Sequence, residues 1–138
     1  MNYRAVVSGC FDIIHVGHIR LIQFAAQFGE LSILINTDET IRELKGPDRP
    51  IHSLAERIEI LRSNKNVSRV IPFTAKTPTL MLDSMYTVGI GPHFVVKGPD
   101  YIDKEIPERS VIESNGGLIM FYPEPKIHST TDMLRRLS

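Results

Sequence analysis

Tryptophan is absent from this 138-residue chain, cysteine occurs once, and Lys plus Arg balance Asp plus Glu at 16 each. A lone cysteine, Cys10, excludes an intramolecular disulfide and favours a reducing compartment. The zero formal charge gives no electrostatic footprint for DNA, RNA or an acidic membrane, although a local basic pocket remains compatible with it. No run approaches the roughly 18 consecutive apolar residues of a membrane-spanning helix, and the stretch from Met1 to Val7 is too short in apolar residues for a signal peptide. Internal repeats, low-complexity tracts and linkers are also missing. With 42% hydrophobic and 23% charged residues the composition is that of a globular chain. The expectation is one cytoplasmic domain, 1–138, without a nucleic-acid or membrane partner.

Short apolar runs alternate with longer helical stretches. Arg4 to Ser8, Leu31 to Ile35, Arg69 to Phe73, His93 to Val96 and Leu118 to Tyr122 read as five strands. Helices are expected from Val16 to Phe28, with Gly29 as a left-handed stop, and from Thr37-Asp38-Glu39, where acids suit the helix dipole. Ser53-Leu54-Ala55-Glu56 has capping-box spacing and opens a helix through Arg62. Thr77-Pro78 opens another, with proline at its first position. Pro107 to Ser114 and Ser129 to Leu137 complete the set. Regular alternation predicts an α/β fold, a Rossmann-like doubly wound five-stranded parallel sheet with helices on both faces. Ligands of such sheets bind beyond the carboxyl ends of the strands, which directs attention to the loops 8–16, 36–50, 73–77, 97–106 and 123–131.

The first of these loops carries the chemistry. Ser8-Gly9-Cys10-Phe11-Asp12-Ile13-Ile14-His15-Val16-Gly17-His18 runs from a strand into a helix. It is neither the dinucleotide fingerprint nor a P-loop, yet it has what an anion site needs. Gly9 permits close approach to the backbone, the amides of Cys10 and Phe11 are candidates to face phosphate oxygens, and the helix start adds partial positive charge. His15 and His18, three apart, share one side of a helical turn, and Gly17 leaves room for phosphate between them. Two imidazoles can donate to a phosphoryl group as its charge redistributes. Any pair at this spacing can equally be two surface residues on a helix start. A metal site would need further ligands, which no Cys or His cluster supplies.

The surrounding residues separate these alternatives. Gly-Cys-Phe-Asp, two residues, then His-Val-Gly-His resembles the G-x-F-D-x-x-H-x-G-H signature of the cytidylyltransferase-like nucleotidyltransferases. The likeness extends along the chain. The stretch from Asn36 to Pro50, including Leu44-Lys45-Gly46, resembles heptose 1-phosphate adenylyltransferase domains, as does Val95-Val96-Lys97-Gly98-Pro99-Asp100-Tyr101. Ser129-Thr130-Thr131 matches the family's Ser-Thr-Thr. Glycerol 3-phosphate cytidylyltransferase is similar in size and shares the first and last motifs.

The resemblance implies a reaction. A nucleoside triphosphate, ATP or CTP, and a phosphomonoester give a nucleotide-diphospho product and pyrophosphate, with Mg2+. The catalytic candidates are His15, His18 and Lys45. Gly9, Cys10, Phe11, Asp12, Gly17, Arg57, Lys97, Gly98, Asp100, Ser129 and Thr130 are the nucleotide-binding candidates. Among them Arg57 is expected to point at phosphates, Asp12 to orient the loop or a metal, and Tyr101 to stack on a base or acceptor. Ser129 also reads as a helix cap with Asp132. Two departures concern selectivity: Glu124 stands at the arginine position of the cytidylyltransferase Arg-Thr-Glu-Gly-Ile segment, and Ile127 at its glycine. Lys126 restores charge there but not a planar fork. Pro99 replaces a second glycine after Lys97. A sugar 1-phosphate with ATP is the first expectation for substrates and glycerol 3-phosphate with CTP the second. A nucleotide-binding regulatory or structural protein without catalysis is the alternative of another class. A homodimer is expected from the family.

Overall fold

Ala5, Val6 and Val7 are buried consecutively, as expected of a strand covered on both sides. This is β1, Arg4–Gly9, the centre of the computed structural model, which describes residues 2–124 and 130–137, with the side chains of 130–133 left out. Around β1 the chain places α1 (Val16–Ala26), β2 (Glu30–Asn36), α2 (Asp38–Lys45), α3 (Leu54–Arg62), β3 (Arg69–Phe73) and α4 (Thr79–Thr87). It continues with β4 (Phe94–Lys97), a 3-10 turn (Pro99–Tyr101), α5 (Arg109–Ser114), β5 (Leu118–Phe121) and α6 (Thr130–Leu137).

All five strands are parallel, in the order β3-β2-β1-β4-β5. The fold is therefore the expected doubly wound α/β sheet. Alternate residues serve opposite faces. Ala5, Val7, Leu31, Ile33 and Ile35 meet Ile22 and Ala25 of α1 and Leu61 of α3. Val6, Leu34 and Val95 meet Leu82 and Met85 of α4 and Ile112 of α5. Chain order reverses between β1 and β4, so the loops leaving Gly9 and Lys97 flank the crevice at the switch point.

Two local expectations are corrected. Helix α1 ends at Ala26, with Gln27 in right-handed geometry, and Gly29 is not a left-handed stop. A Cβ there would lie 2.4 Å from the Tyr3 carbonyl oxygen, and Glu30 donates to that same carbonyl at 2.9 Å. Close chain approach, not helix termination, explains this glycine. Pro78 occupies the N-cap of α4 rather than its first helical position. The capping box of α3 forms as expected between Ser53 and Glu56.

Candidate active site

The loop after β1 is bent by two residues in the left-handed region, Phe11 at φ 51° and Ile13 at φ 52°. Such geometry costs about 1–3 kcal/mol per residue unless the surroundings impose it. Here they do. The Phe11 ring is buried and lies against Gly9, where an added Cβ would meet it at 3.2 Å. The close approach that Gly9 permits is thus taken up on that side by the Phe11 ring. Asp12 is buried at 1% exposure. Its carboxylate accepts from Arg49 Nε at 3.0 Å, Ile51 N at 2.8 Å and His52 N at 2.9 Å. Burial alone would raise its pKa, but the hydrogen bonds from His52, Ile51 and Arg49 and the Arg49 charge outweigh it and hold the carboxyl low. Of the two roles expected for Asp12, the structure assigns these contacts to orienting loops. It clamps the 49–52 segment, with its cis Arg49–Pro50 bond, to the histidine loop.

The two histidines cap their own helix. His15 is the N-cap of α1, and its Nδ1 accepts from Gly17 N at 3.1 Å. Its own N–H donates to His18 Nδ1 at 3.1 Å. The rings lie against each other at a 32° tilt with centroids 3.9 Å apart, and the Phe11 ring adjoins His18 at 5.4 Å. A neutral imidazole that accepts at Nδ1 carries its proton on Nε2. The helix start therefore sets the tautomer of both rings and makes each an Nε2–H donor. Both line one cleft of about 690 Å3, within the range of small-molecule sites.

That cleft lies at the carboxyl ends of the strands. Gly9, Cys10, Phe11, Asp12, Gly17 and Lys45 line it with the histidines, and Lys97, Gly98, Asp100 and Tyr101 close it from β4. Four of the five loops selected from the sequence contribute to this lining, and the fifth reaches residues outside the description. Lys45 is the exposed last residue of α2, and Gly46 follows at φ 104°, a turn that suits glycine. The Cys10 thiol is pushed up in pKa by burial, against the nearby Lys45, Arg57 and Arg49 charges, so it stays protonated at neutral pH. It donates weakly to Asn36 Oδ1 at 3.6 Å.

Arg57 departs from expectation. It is wholly buried and does not line the cleft. Its guanidinium donates to the carbonyls of His52 at 3.1 Å, Cys10 at 2.8 Å and Asn36 at 2.7 Å, and to Asp38 Oδ1 at 2.6 Å. Arg57 ties the ends of β1 and β2 to the starts of α2 and α3 instead of pointing at phosphates. Lys97 does reach the cleft, but its ammonium is paired with buried Glu108 at 2.6 Å. Ser129, Lys126 and Ile127 lie outside the described residues, and Thr130 is described only as the first residue of α6.

Residues 6–135 match the cytidylyltransferase-like family. The chain belongs to that family. It is 36% identical over 131 residues to the bifunctional protein HldE of Syntrophotalea carbinolica, covering 94% of this chain and 26% of that protein. It is 33% identical over 133 residues to the bifunctional protein HldE of Coxiella burnetii, covering 96% and 27%. The chain thus spans about a quarter of the length of these relatives. Among solved structures, a lipopolysaccharide core biosynthesis protein from Thermoplasma volcanium superposes with a TM-score of 0.67 at 23% identity, over 89% of this chain and 98% of that one. A protein of unknown function from Archaeoglobus fulgidus does so with 0.65 at 18%, over 91% and 93%. Both share the fold.

Several cleft residues carry no motif in the sequence. Arg49 and Glu108 hold the two buried ion pairs, and Asn36 joins Cys10 to the Ala75 carbonyl, which its Nδ2 reaches at 3.2 Å. Arg20 and Lys76 are exposed cations on the lining. Their signal in the sequence was position alone: Asn36 ends β2 and Lys76 follows β3, inside loops already marked for attention. Among the described residues no helix is long and apolar enough to cross a membrane.

Proposed function

We propose that this chain is a nucleotidyltransferase that transfers the nucleotidyl group of ATP to a sugar 1-phosphate and releases pyrophosphate. The observation that carries the reading is the paired, capped His15 and His18 on the rim of a cleft at the switch point. The acceptor phosphate already supplies an oxygen nucleophile, so no general base is required. It attacks the α-phosphorus in line, and the bond to the β-phosphate oxygen breaks. The Nε2–H groups of His15 and His18 donate to the α-phosphate and the departing oxygen as charge develops there. Lys45 neutralises phosphate as a point charge. Gly17, at the start of α1, adds no side chain to that approach. Thr130, the first residue of α6, suits the triphosphate, and Ser129 joins it on the strength of the family's Ser-Thr-Thr. Catalysis is by positioning and electrostatics.

Mg2+ would enter with the triphosphate and would neutralise part of its charge; among the described residues no group of three or more His, Cys, Asp or Glu could hold the ion without it. A cytoplasmic homodimer completes the proposal, and light scattering tests the dimer. The decisive experiment measures pyrophosphate release from four triphosphates against sugar 1-phosphates, glycerol 3-phosphate and phosphoethanolamine. Release with ATP and a sugar 1-phosphate is expected. Release only with CTP and glycerol 3-phosphate would move the substrate assignment, and triphosphate binding with no release for any acceptor would refute catalysis.

A further inference from the structure

The charges on the cleft lining are not evenly used. Five cations line it: Arg20, Lys45, Arg49, Lys76 and Lys97. Arg49 is paired with Asp12 and Lys97 with Glu108, whereas Arg20, Lys45 and Lys76 have no ion pair among the described residues. Asp12 and Arg49 also fasten a loop. The Lys97–Glu108 pair closes the 98–107 segment between β4 and α5, and unlike a pair with that task alone it has both members on the cleft lining. Its side chains are 9% and 2% exposed. A pair this dry gives little net stability, because desolvation offsets the attraction.

We propose that Glu108 is a positioning residue that neutralises the Lys97 ammonium and aims it at an uncharged, hydroxyl-bearing part of a substrate. The proposal rests on the nucleotidyl-transfer reading and deepens it. An ammonium has three N–H donors. With one committed to Glu108, Lys97 offers the others without net charge, because the carboxylate 2.6 Å away cancels it. Asp100 lines the same end of the cleft. Tyr101 supplies a ring 5.1 Å from Lys97 Nζ, a flat apolar wall beside polar donors. Burial, then Asp100 and Glu108, raises the pKa of the Tyr101 phenol, so this wall stays neutral. Lys104 lies over the same ring at 5.5 Å but is not part of the cleft lining. Neutral donors beside an aromatic face suit sugar hydroxyls, of either the acceptor or the nucleoside. Lys45, Lys76 and Arg20, which have no ion pair among the described residues, remain for the phosphates.

The test uses the Lys97→Met/Glu108→Leu double variant, in which two apolar side chains replace the buried pair without leaving a lone charge, together with Glu108→Gln. Melting temperature and steady-state kinetics are measured for each, varying ATP and the sugar 1-phosphate in turn. The double variant is expected to melt within a few degrees of wild type. It should raise the KM of one substrate about 10- to 100-fold and change kcat by less than about threefold. Glu108→Gln, which keeps an acceptor oxygen, should lie between, and it decides the matter if the double variant does not fold. The substrate whose KM rises identifies the source of the hydroxyls. Unchanged KM and kcat in a folded variant would make the pair merely structural and overturn the proposal. A fall in kcat at constant KM would also overturn it, since the ammonium would then be meeting transition-state charge. If wild type releases no pyrophosphate, the reaction itself fails, and calorimetric titration with ATP and with sugar 1-phosphate still decides the role of the pair. A Kd raised about tenfold or more for either would support it, and equal Kd values would refute it.

Discussion

Each imidazole at the start of α1 has two jobs at two different atoms, and substitution can separate them. Nδ1 of His18 accepts from the His15 amide at 3.1 Å, which belongs to the capping of the helix. Nε2 carries the proton proposed to meet the α-phosphate. Asparagine places an acceptor near the Nδ1 position and nothing at Nε2. Glutamine reaches the Nε2 position but abandons the cap. Alanine removes both. Loss of one preorganised donor to a developing oxyanion costs about 10²–10³ in kcat, while loss of a cap costs about 1 kcal/mol, or some 3–5 °C in Tm for a chain of this size. His18→Asn should therefore lose about 10²–10³ in kcat at nearly unchanged Tm. His18→Ala should lose the same activity and several degrees as well, so thermal stability is not indifferent to this change. His18→Gln should retain more activity than either at lowered Tm. Pyrophosphate release and differential scanning calorimetry on the three proteins give the comparison. Near-wild-type turnover in His18→Asn would refute the division, because the δ atom would then suffice for catalysis.

Other outcomes follow from the same geometry. Lys45 is exposed on the cleft lining with no ion pair among the described residues, so Lys45→Ala should lower kcat/KM about 10- to 100-fold at unchanged Tm, read by kinetics and calorimetry. Arg57 is buried on three carbonyls and Asp38, so Arg57→Leu should cost about 3–5 kcal/mol in urea unfolding. A folded Arg57→Lys should keep the KM for ATP within about threefold, and a large rise would restore Arg57 as a phosphate ligand. Asp12 has its pKa lowered in the folded chain, so its contribution is present above the unfolded value of about 4 and is lost as pH falls through the lower folded one. The stability gap between wild type and Asp12→Asn, from urea melts at pH 3 to 7, should be largest near neutrality and close toward acid. A constant gap would contradict the linkage.

Short apolar runs made the strands legible, because Ala5-Val6-Val7 and Ile33-Leu34-Ile35 are apolar on both faces and need cover from both layers. The histidine loop was legible through its motif and its place after β1. What stayed hidden was where charged side chains spend their hydrogen bonds. Arg57 reads as an exposed helix arginine or a phosphate ligand, and it is neither, since its partners are carbonyls supplied by distant segments at Cys10 and Asn36. Glu108 lies in a stretch that reads as helix, yet it stands just before α5 and turns into the floor. Gly29 reads as a helix stop because nothing local reveals the Tyr3 carbonyl beside it. The left-handed Phe11 and Ile13 carry no signal either, as neither residue type favours that geometry.

A formal charge of zero hides how this family member arranges its cations. Buried charges cannot stay unpaired, because desolvation would neutralise or expel them. The buried Arg49, Arg57 and Lys97 accordingly each have a carboxylate partner: Asp12, Asp38 and Glu108. Those pairs hold the loops and the cleft floor and add little to its net field. The positive potential then comes from the exposed Arg20, Lys45 and Lys76, which water keeps charged at small cost and which a polyphosphate can reach. This ordering makes a distinction by ionic strength. Added salt should weaken triphosphate binding through the three exposed cations, and Lys45→Ala or Lys76→Ala should flatten that dependence. The Lys97→Met/Glu108→Leu double variant should leave the slope of log Kd against log salt unchanged, with a shifted intercept only where the hydroxyls it meets are those of the nucleoside. A flattened slope in the double variant would mean that Lys97 meets phosphate after all, and that neutralisation by Glu108 is not what the cleft uses.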